Sequence, residues 1–333
     1  MWKYGCARQS PYIWRGCKIN TFFENNLSIL ELIIRYYRMK GILIKYIFIS
    51  CAFFAAVNSF SQPGSTIELN KPKPYENRTL ASEKTKEGKL GFGKKLFQNT
   101  ITHYNYYFNA ATKLQEILDQ AKESFRDDYT KKLPFYNYTL NSTAGNSNID
   151  SIILKCNAGI LLHDLRNDWI DNLYLLLGEA YYFRKNFDSA AQVFQYINYA
   201  FAPKDDGYDI PVGSNASSKN GVFSISTEEK KQTFLRKNFS TPPNRNDALV
   251  WMARNFIEKK QYDKASGVLE ILRHDPVFPA RLQPELHETL AYLFYNLNIY
   301  DSAADHLGLS LDLAANKLEY ARKEFLMAQL YNL

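Results

Sequence analysis

Leu177-Gly178-Glu179-Ala180-Tyr181, with Phe187, Ala190 and Phe194 after it, sets a pattern that this chain uses three times. The second copy is Met252, Ala253 and Phe256, then Tyr262, Ala265 and Leu269. The third is Leu290, Ala291 and Phe294, then Tyr300, Ala303 and Leu307. The internal spacing is the same in all three. Large residues fall where helices pack and small ones where two helices cross closely, so each copy reads as a pair of antiparallel helices. On this register Ala265→Leu or Ala303→Leu overpacks a helix crossing and costs about 1–3 kcal/mol. A thermal midpoint equal to the parent's would count against it.

The anchors Gly178, Ala253 and Ala291 lie 75 and 38 residues apart, and Ala328 follows 37 further on. Tetratricopeptide repeats recur about every 34 residues with this arrangement of large and small positions. The chain therefore reads as an all-α, TPR-like helical-repeat solenoid. The long first gap holds one repeat plus an irregular insertion over 203–245. That stretch contains Pro203-Lys204-Asp205-Asp206-Gly207, Gly213-Ser214-Asn215-Ala216-Ser217-Ser218 and Thr241-Pro242-Pro243, all helix breakers. Insertions of this kind sit on one face of a solenoid and often carry its binding specificity. The helical domain is expected over 96–333, with an incomplete last repeat at 316–333. There Leu318, Ala321, Phe325, Ala328 and Tyr331 form an apolar stripe with no second helix to cover it, as a C-terminally truncated fragment would show.

The net charge of +7 is unevenly placed. Residues 1–62 hold eight Lys/Arg against two Asp/Glu, which leaves the remainder close to neutral. A neutral body without a basic stripe argues against nucleic acid as a partner. From Met39 the chain runs through Lys40 and Lys45 into Ile47-Phe48-Ile49-Ser50-Cys51-Ala52-Phe53-Phe54-Ala55-Ala56-Val57, ending at Ser59-Phe60-Ser61. A short basic region, an apolar run too short to span a membrane, and small residues before Gln62 read as a signal peptide over 39–61, cut between Ser61 and Gln62. Residues 1–38 are then an upstream extension. Cys51 is a candidate lipidation site, though Phe48-Ile49-Ser50 is a poor lipobox. Residues 62–95, with Lys71-Pro72-Lys73-Pro74 and Ser82 to Gly88, read as a flexible tether. Cys156 alone lies beyond the signal, so the mature chain forms no internal disulfide.

Tyr104, Tyr107, Phe108, Ala111, Leu114, Leu118, Ala121 and Phe125 trace one helical face. A hairpin turning near Asn109-Ala110 would make this a degenerate leading repeat. A helix is expected from Asp150 to His163. Arg166-Asn167-Asp168 and Arg245-Asn246-Asp247 each open a helix, their Asn and Asp suited to capping. Asp168 lies further from its anchor than Asp247, so the first of these helices is expected to start a turn earlier.

No motif carries chemistry. His163-Asp164 and the Asp205 to Asp209 loop are too slight to make a metal site, and no Walker loop or nucleophile elbow is present. We expect no catalytic, cofactor or metal residues. Tyrosines outside the repeat, notably Tyr136 and Tyr138, suit either protein contact or packing beneath the 131–148 loop. First helices line the concave face of such a solenoid, which puts Glu179, Tyr182, Arg254, Tyr292 and Tyr295 there as candidate partner contacts.

Thr102-His103-Tyr104-Asn105-Tyr106-Tyr107-Phe108-Asn109-Ala110 resembles the opening signature of SprE/PorW-like TPR proteins of Bacteroidetes gliding motility and type IX secretion. Asp127-Asp128-Tyr129 with Leu133-Pro134-Phe135-Tyr136, the run from Asp168-Trp169 to Ile197, and Arg245 to Trp251 are similar too. The resemblance covers about 95–333. It implies a non-enzymatic envelope scaffold, exported to the periplasm or the periplasmic face of the outer membrane, whose partners are other envelope proteins. A carbohydrate-binding envelope protein of the SusD sort is the alternative.

Overall fold

The computed structural model describes residues 67, 69, 71–85, 90–202, 225–229 and 243–333. The expectations attached to Met39, Cys51, Ser61, Gln62 and the 205–209 loop lie outside them. Every regular element among the described residues is helical. None of these helices is long and apolar enough to cross a membrane.

The three repeat copies become three helix pairs. They are α5 (Ile170–Phe183) with α6 (Phe187–Ala200), α7 (Arg245–Glu258) with α8 (Tyr262–His274), and α9 (Gln283–Leu297) with α10 (Tyr300–Gly308). Each packs on its neighbour in sequence order, and α11 (Lys317–Tyr331) closes the series. The small residues at the crossings, Ala190, Ala253, Ala265, Ala291 and Ala303, are completely buried, as are Leu177 and Phe194. Tyr181, Phe256 and Phe294 are half-buried against the core, and Phe294 packs on two of its clusters. Every pair turns through a left-handed residue at the same place: Lys185, Lys260 and Asn298, at φ 64°, 57° and 59°. Each stands two residues before the aromatic that starts the second helix.

Gly178 shows why its position must be small. A Cβ there would run into the ring of Phe194, which has no exposed surface and nowhere to move. Gly178→Ala should cost about 1–3 kcal/mol. Gly267, inside α8 with open space around it, is the control. Gly267→Ala should stabilise by roughly 0.5–1 kcal/mol through helix propensity alone. Urea unfolding of the two variants reads both signs, and a neutral Gly178→Ala would disprove the close crossing.

Four expectations are corrected. First, α1 (Phe92–Ile101), a π-helical stretch over Thr102–Phe108 and α2 (Asn109–Ser124) follow one another without a break, so no hairpin forms at Asn109-Ala110. The wider π turn lets His103 stack on Trp169, centroids 3.8 Å apart, while Tyr106 packs over Gly159. Second, α5 and α7 start equally far from their anchors, eight residues in each case, and so does α9. The extra Asp168 register is taken up by a turn before Trp169. Third, Asn246 does not cap. Asn167 does accept the Trp169 backbone N–H at 2.9 Å while donating to the Thr102 hydroxyl at 2.7 Å, whereas Asn246 exchanges two hydrogen bonds with the backbone of Thr227. Fourth, much of the 62–95 stretch is docked. Ile67 and Leu69 pack on the first core, Leu80 is buried, and Ser82 donates to the Leu161 carbonyl at 2.8 Å.

The helix expected at Asp150–His163 is α4 (Asn148–Leu162), with Cys156 completely buried on it. A short helix α3 (Leu140–Ala144) precedes it. Within the insertion, residues 225–229 are tied down. Asp275 accepts the backbone N–H groups of Ile225 and Ser226 at 3.0 and 2.9 Å, and the buried Arg245 donates to the Thr227 hydroxyl at 2.9 Å.

Candidate binding groove

The first helices of the pairs present their polar residues to one common groove, and the chain itself enters that groove. After α2 the segment 125–139 has no helix. It runs as a strap across the faces of α11 and α9 and then beside α5. Its backbone is held by side chains of the solenoid. Gln329 accepts from Leu133 N–H and donates to the Lys131 carbonyl, both at 2.9 Å. Tyr295 donates to the Leu133 carbonyl at 2.9 Å. Arg322 grips the Asp127 carboxylate at 2.8 and 2.9 Å and donates to the Pro134 and Phe135 carbonyls at 2.8 and 3.1 Å. Leu133 and Phe135 are buried in the core of α9, α10 and α11.

The five residues placed on the concave face from the sequence line two cavities, one on each side of the strap. Glu179 and Arg254 border a cavity of about 410 Å³ on one side. Tyr182, Tyr292 and Tyr295 lie on the other. The Tyr182 and Tyr292 hydroxyls both donate to Glu258, at 3.2 and 2.6 Å. Tyr292 and Tyr295 pack on the ring of Phe135, so their occupant is the chain's own segment. Tyr136 and Tyr138, weighed as contact or packing residues, are part of that segment and stack on each other.

The cavity is walled by Tyr107, Phe183, Trp251 and the strap residues 135–138. Its floor is a charge network. Glu288 accepts from Arg254 at 2.7 Å and from Lys323 at 2.8 Å, and Arg254 also donates to the Thr289 hydroxyl at 2.9 Å. Burial works against the Glu288 anion, but the Arg254 and Lys323 charges prevail and hold its carboxyl below the usual range. Glu179 is in the opposite state. Burial, with the Asp247 carboxylate in the same sense and Arg254 opposing, pushes it up to about 8.

Trp251, Glu288, Arg322 and Lys323 were not foreseen as groove residues. Their signal was the register itself: Glu288 stands three residues before its anchor, on the same helix face as Ala291 and Tyr292. The histidines hold no metal cluster among the described residues. His163 bonds the Gly159 carbonyl at 2.8 Å, and the Nδ1 atoms of His287 and His306 meet at 3.0 Å.

No protein-family model matches this chain, and no curated protein matches it. The groove is therefore read from its own geometry and from the sequence resemblance.

Proposed function

We propose that this chain is a non-enzymatic scaffold that binds other proteins of the cell envelope through its solenoid groove. The observation that carries the reading is the strap. Side chains of α9 and α11 hold an extended backbone by its N–H and carbonyl groups, which is how such a groove takes a polypeptide. The resemblance to SprE/PorW-like proteins supports a place in type IX secretion and gliding motility. In this proposal the protein is exported, acts at the periplasmic side of the outer membrane, and Cys51 is the candidate anchor point. Affinity capture of the tagged protein from its own envelope, read by mass spectrometry, should recover secretion-machine components. Recovery of a sugar importer, or of nothing, would remove the secretion assignment.

One observation favours the SusD-like alternative. The cavity beside the strap has aromatic walls and polar groups at its base, the general make-up of a sugar site. Saturable binding on a glycan array, lost in Trp251→Ala, would move the assignment there.

A further inference from the structure

We propose that the cavity beside the strap is a receptor for one lysine or arginine side chain of an extended partner polypeptide, with Glu179 and Glu285 as its counter-charges. The inference rests on reading the solenoid as a polypeptide-binding fold and not on its place in secretion.

The charge balance of the lining leads to it. Each cation there already has an anion: Lys122 pairs with Glu319 at 3.1 Å, Arg254 and Lys323 with Glu288, and Arg322 with Asp127. Two carboxyl groups of the lining have no ion pair among the described residues, while Arg254 and Lys323 share the one charge of Glu288. The two carboxyl groups are Glu179 and Glu285, and Glu285 keeps a buried Oε2 without a partner. The hydroxyl of Tyr136, on the strap wall, is also buried without one. Desolvated acceptors of this kind are costly unless something satisfies them. An anion would face both carboxyl groups, whereas a cation lets Glu179 give up its proton and pair. A cation on an alkyl stem fits both parts of the site, its stem against Trp251, Tyr107 and Phe183 and its head at the carboxyl groups.

The strap supplies the precedent for a polypeptide source. Its own Lys132 lies 4.4 and 4.5 Å from the ring centroids of Tyr295 and Tyr300 and donates to the Tyr300 hydroxyl at 3.1 Å. The solenoid thus already meets one exposed lysine of an extended segment with aromatic rings, and the cavity runs alongside that segment.

Binding should be coupled to protons. The titratable groups facing Glu179 are Tyr107 before α2, Cys156 on α4, and Asp247 and Arg254 on α7. Glu285, Glu288, Lys122 and Lys323 border the rest of the cavity. Since burial pushes Glu179 up to about 8, this carboxyl largely keeps its proton at neutral pH, and an arriving cation displaces it.

The test is calorimetric titration of the full chain at about pH 7.5 with blocked Gly-Ser-Lys-Ser-Gly. The arginine peptide is run beside it, with norleucine and glutamate peptides and n-butylamine as controls. The lysine and arginine peptides should bind at least about tenfold more tightly than the controls. Glu179→Gln and Glu285→Gln should each weaken them by about tenfold, and the heat should vary with buffer as a proton is released. Thermal melts establish that both variants are folded. Equal affinity for norleucine, indifference to both variants, or no binding would overturn the inference. Butylamine binding as tightly as the lysine peptide would overturn its polypeptide part. Peptide binding with a failed envelope capture would remove only the secretion assignment, and the reverse result would remove only this site.

Discussion

Arg322→Ala should lower the unfolding free energy by about 3–5 kcal/mol, the range seen when one partner of a buried ion pair is deleted. Arg322 is only 7% exposed and makes four hydrogen bonds to the strap. Its loss leaves the Asp127 carboxylate buried without a counter-charge and two carbonyls without donors. Arg322→Lys should recover only part of the deficit, because one ammonium cannot span the carboxylate and both carbonyls as the planar guanidinium does. A urea midpoint indistinguishable from the parent's would show that the strap adds nothing to stability. Trypsin gives a local readout. Lys131 and Lys132 are exposed, and cleavage after them should accelerate once the backbone on either side is released.

Glu179→Gln should have a comparable effect of the opposite sign, growing as pH rises from about 4.5 to about 8. In the unfolded chain this carboxyl titrates near 4.5, and in the folded protein burial pushes it up to about 8. Between those values the folded state keeps a proton that the unfolded state has lost. Stability therefore falls as pH rises through that window and levels off above about pH 8. The change is on the order of 2–4 kcal/mol, given about 1.4 kcal/mol per pH unit and a side chain that keeps some contact with solvent. Glutamine has no proton to lose. Its midpoint should stay near the parent's at about pH 5 and exceed it clearly at about pH 9. Asp171, which burial pushes to about 6, completes its titration lower down and does not mask the difference at alkaline pH. Parallel pH profiles for parent and variant would show that Glu179 ionises normally.

The helix pairs were legible because their causes are local. A small residue at a crossing and an aromatic three positions on recur at one spacing, and nothing distant is needed to read them. The same register put Glu179, Tyr182, Arg254, Tyr292 and Tyr295 on the concave face. The strap was not legible, because its partners lie far away along the chain. Nothing around Leu133 announces that Gln329 and Tyr295 will hold its backbone. The Arg-Asn-Asp echo misled for a related reason. Asn246 resembles a capping residue, but its contact with Thr227 wins the side chain, whereas Asn167 keeps a bond to the Trp169 N–H beside its contact with Thr102. The continuous helix through Thr102–Phe108 was hidden by a change of period. The π turn carries the rings off the regular 3.6-residue stripe onto Trp169 and Gly159.

The strap also sets an order of events for newly made protein. Leu133 leaves the ribosome 196 residues ahead of Gln329, and Asp127 precedes Arg322 by 195. At about 5–20 residues per second, the strap waits roughly 10–40 s for the helix that anchors it. During that interval Leu133 and Phe135 have no pocket, while the earlier helix pairs can already assemble on one another. Most stacked-repeat proteins can nucleate anywhere and grow by neighbours alone. Here α11 closes a long loop back to the strap that follows α2, so the strap cannot be seated until α11 has been made.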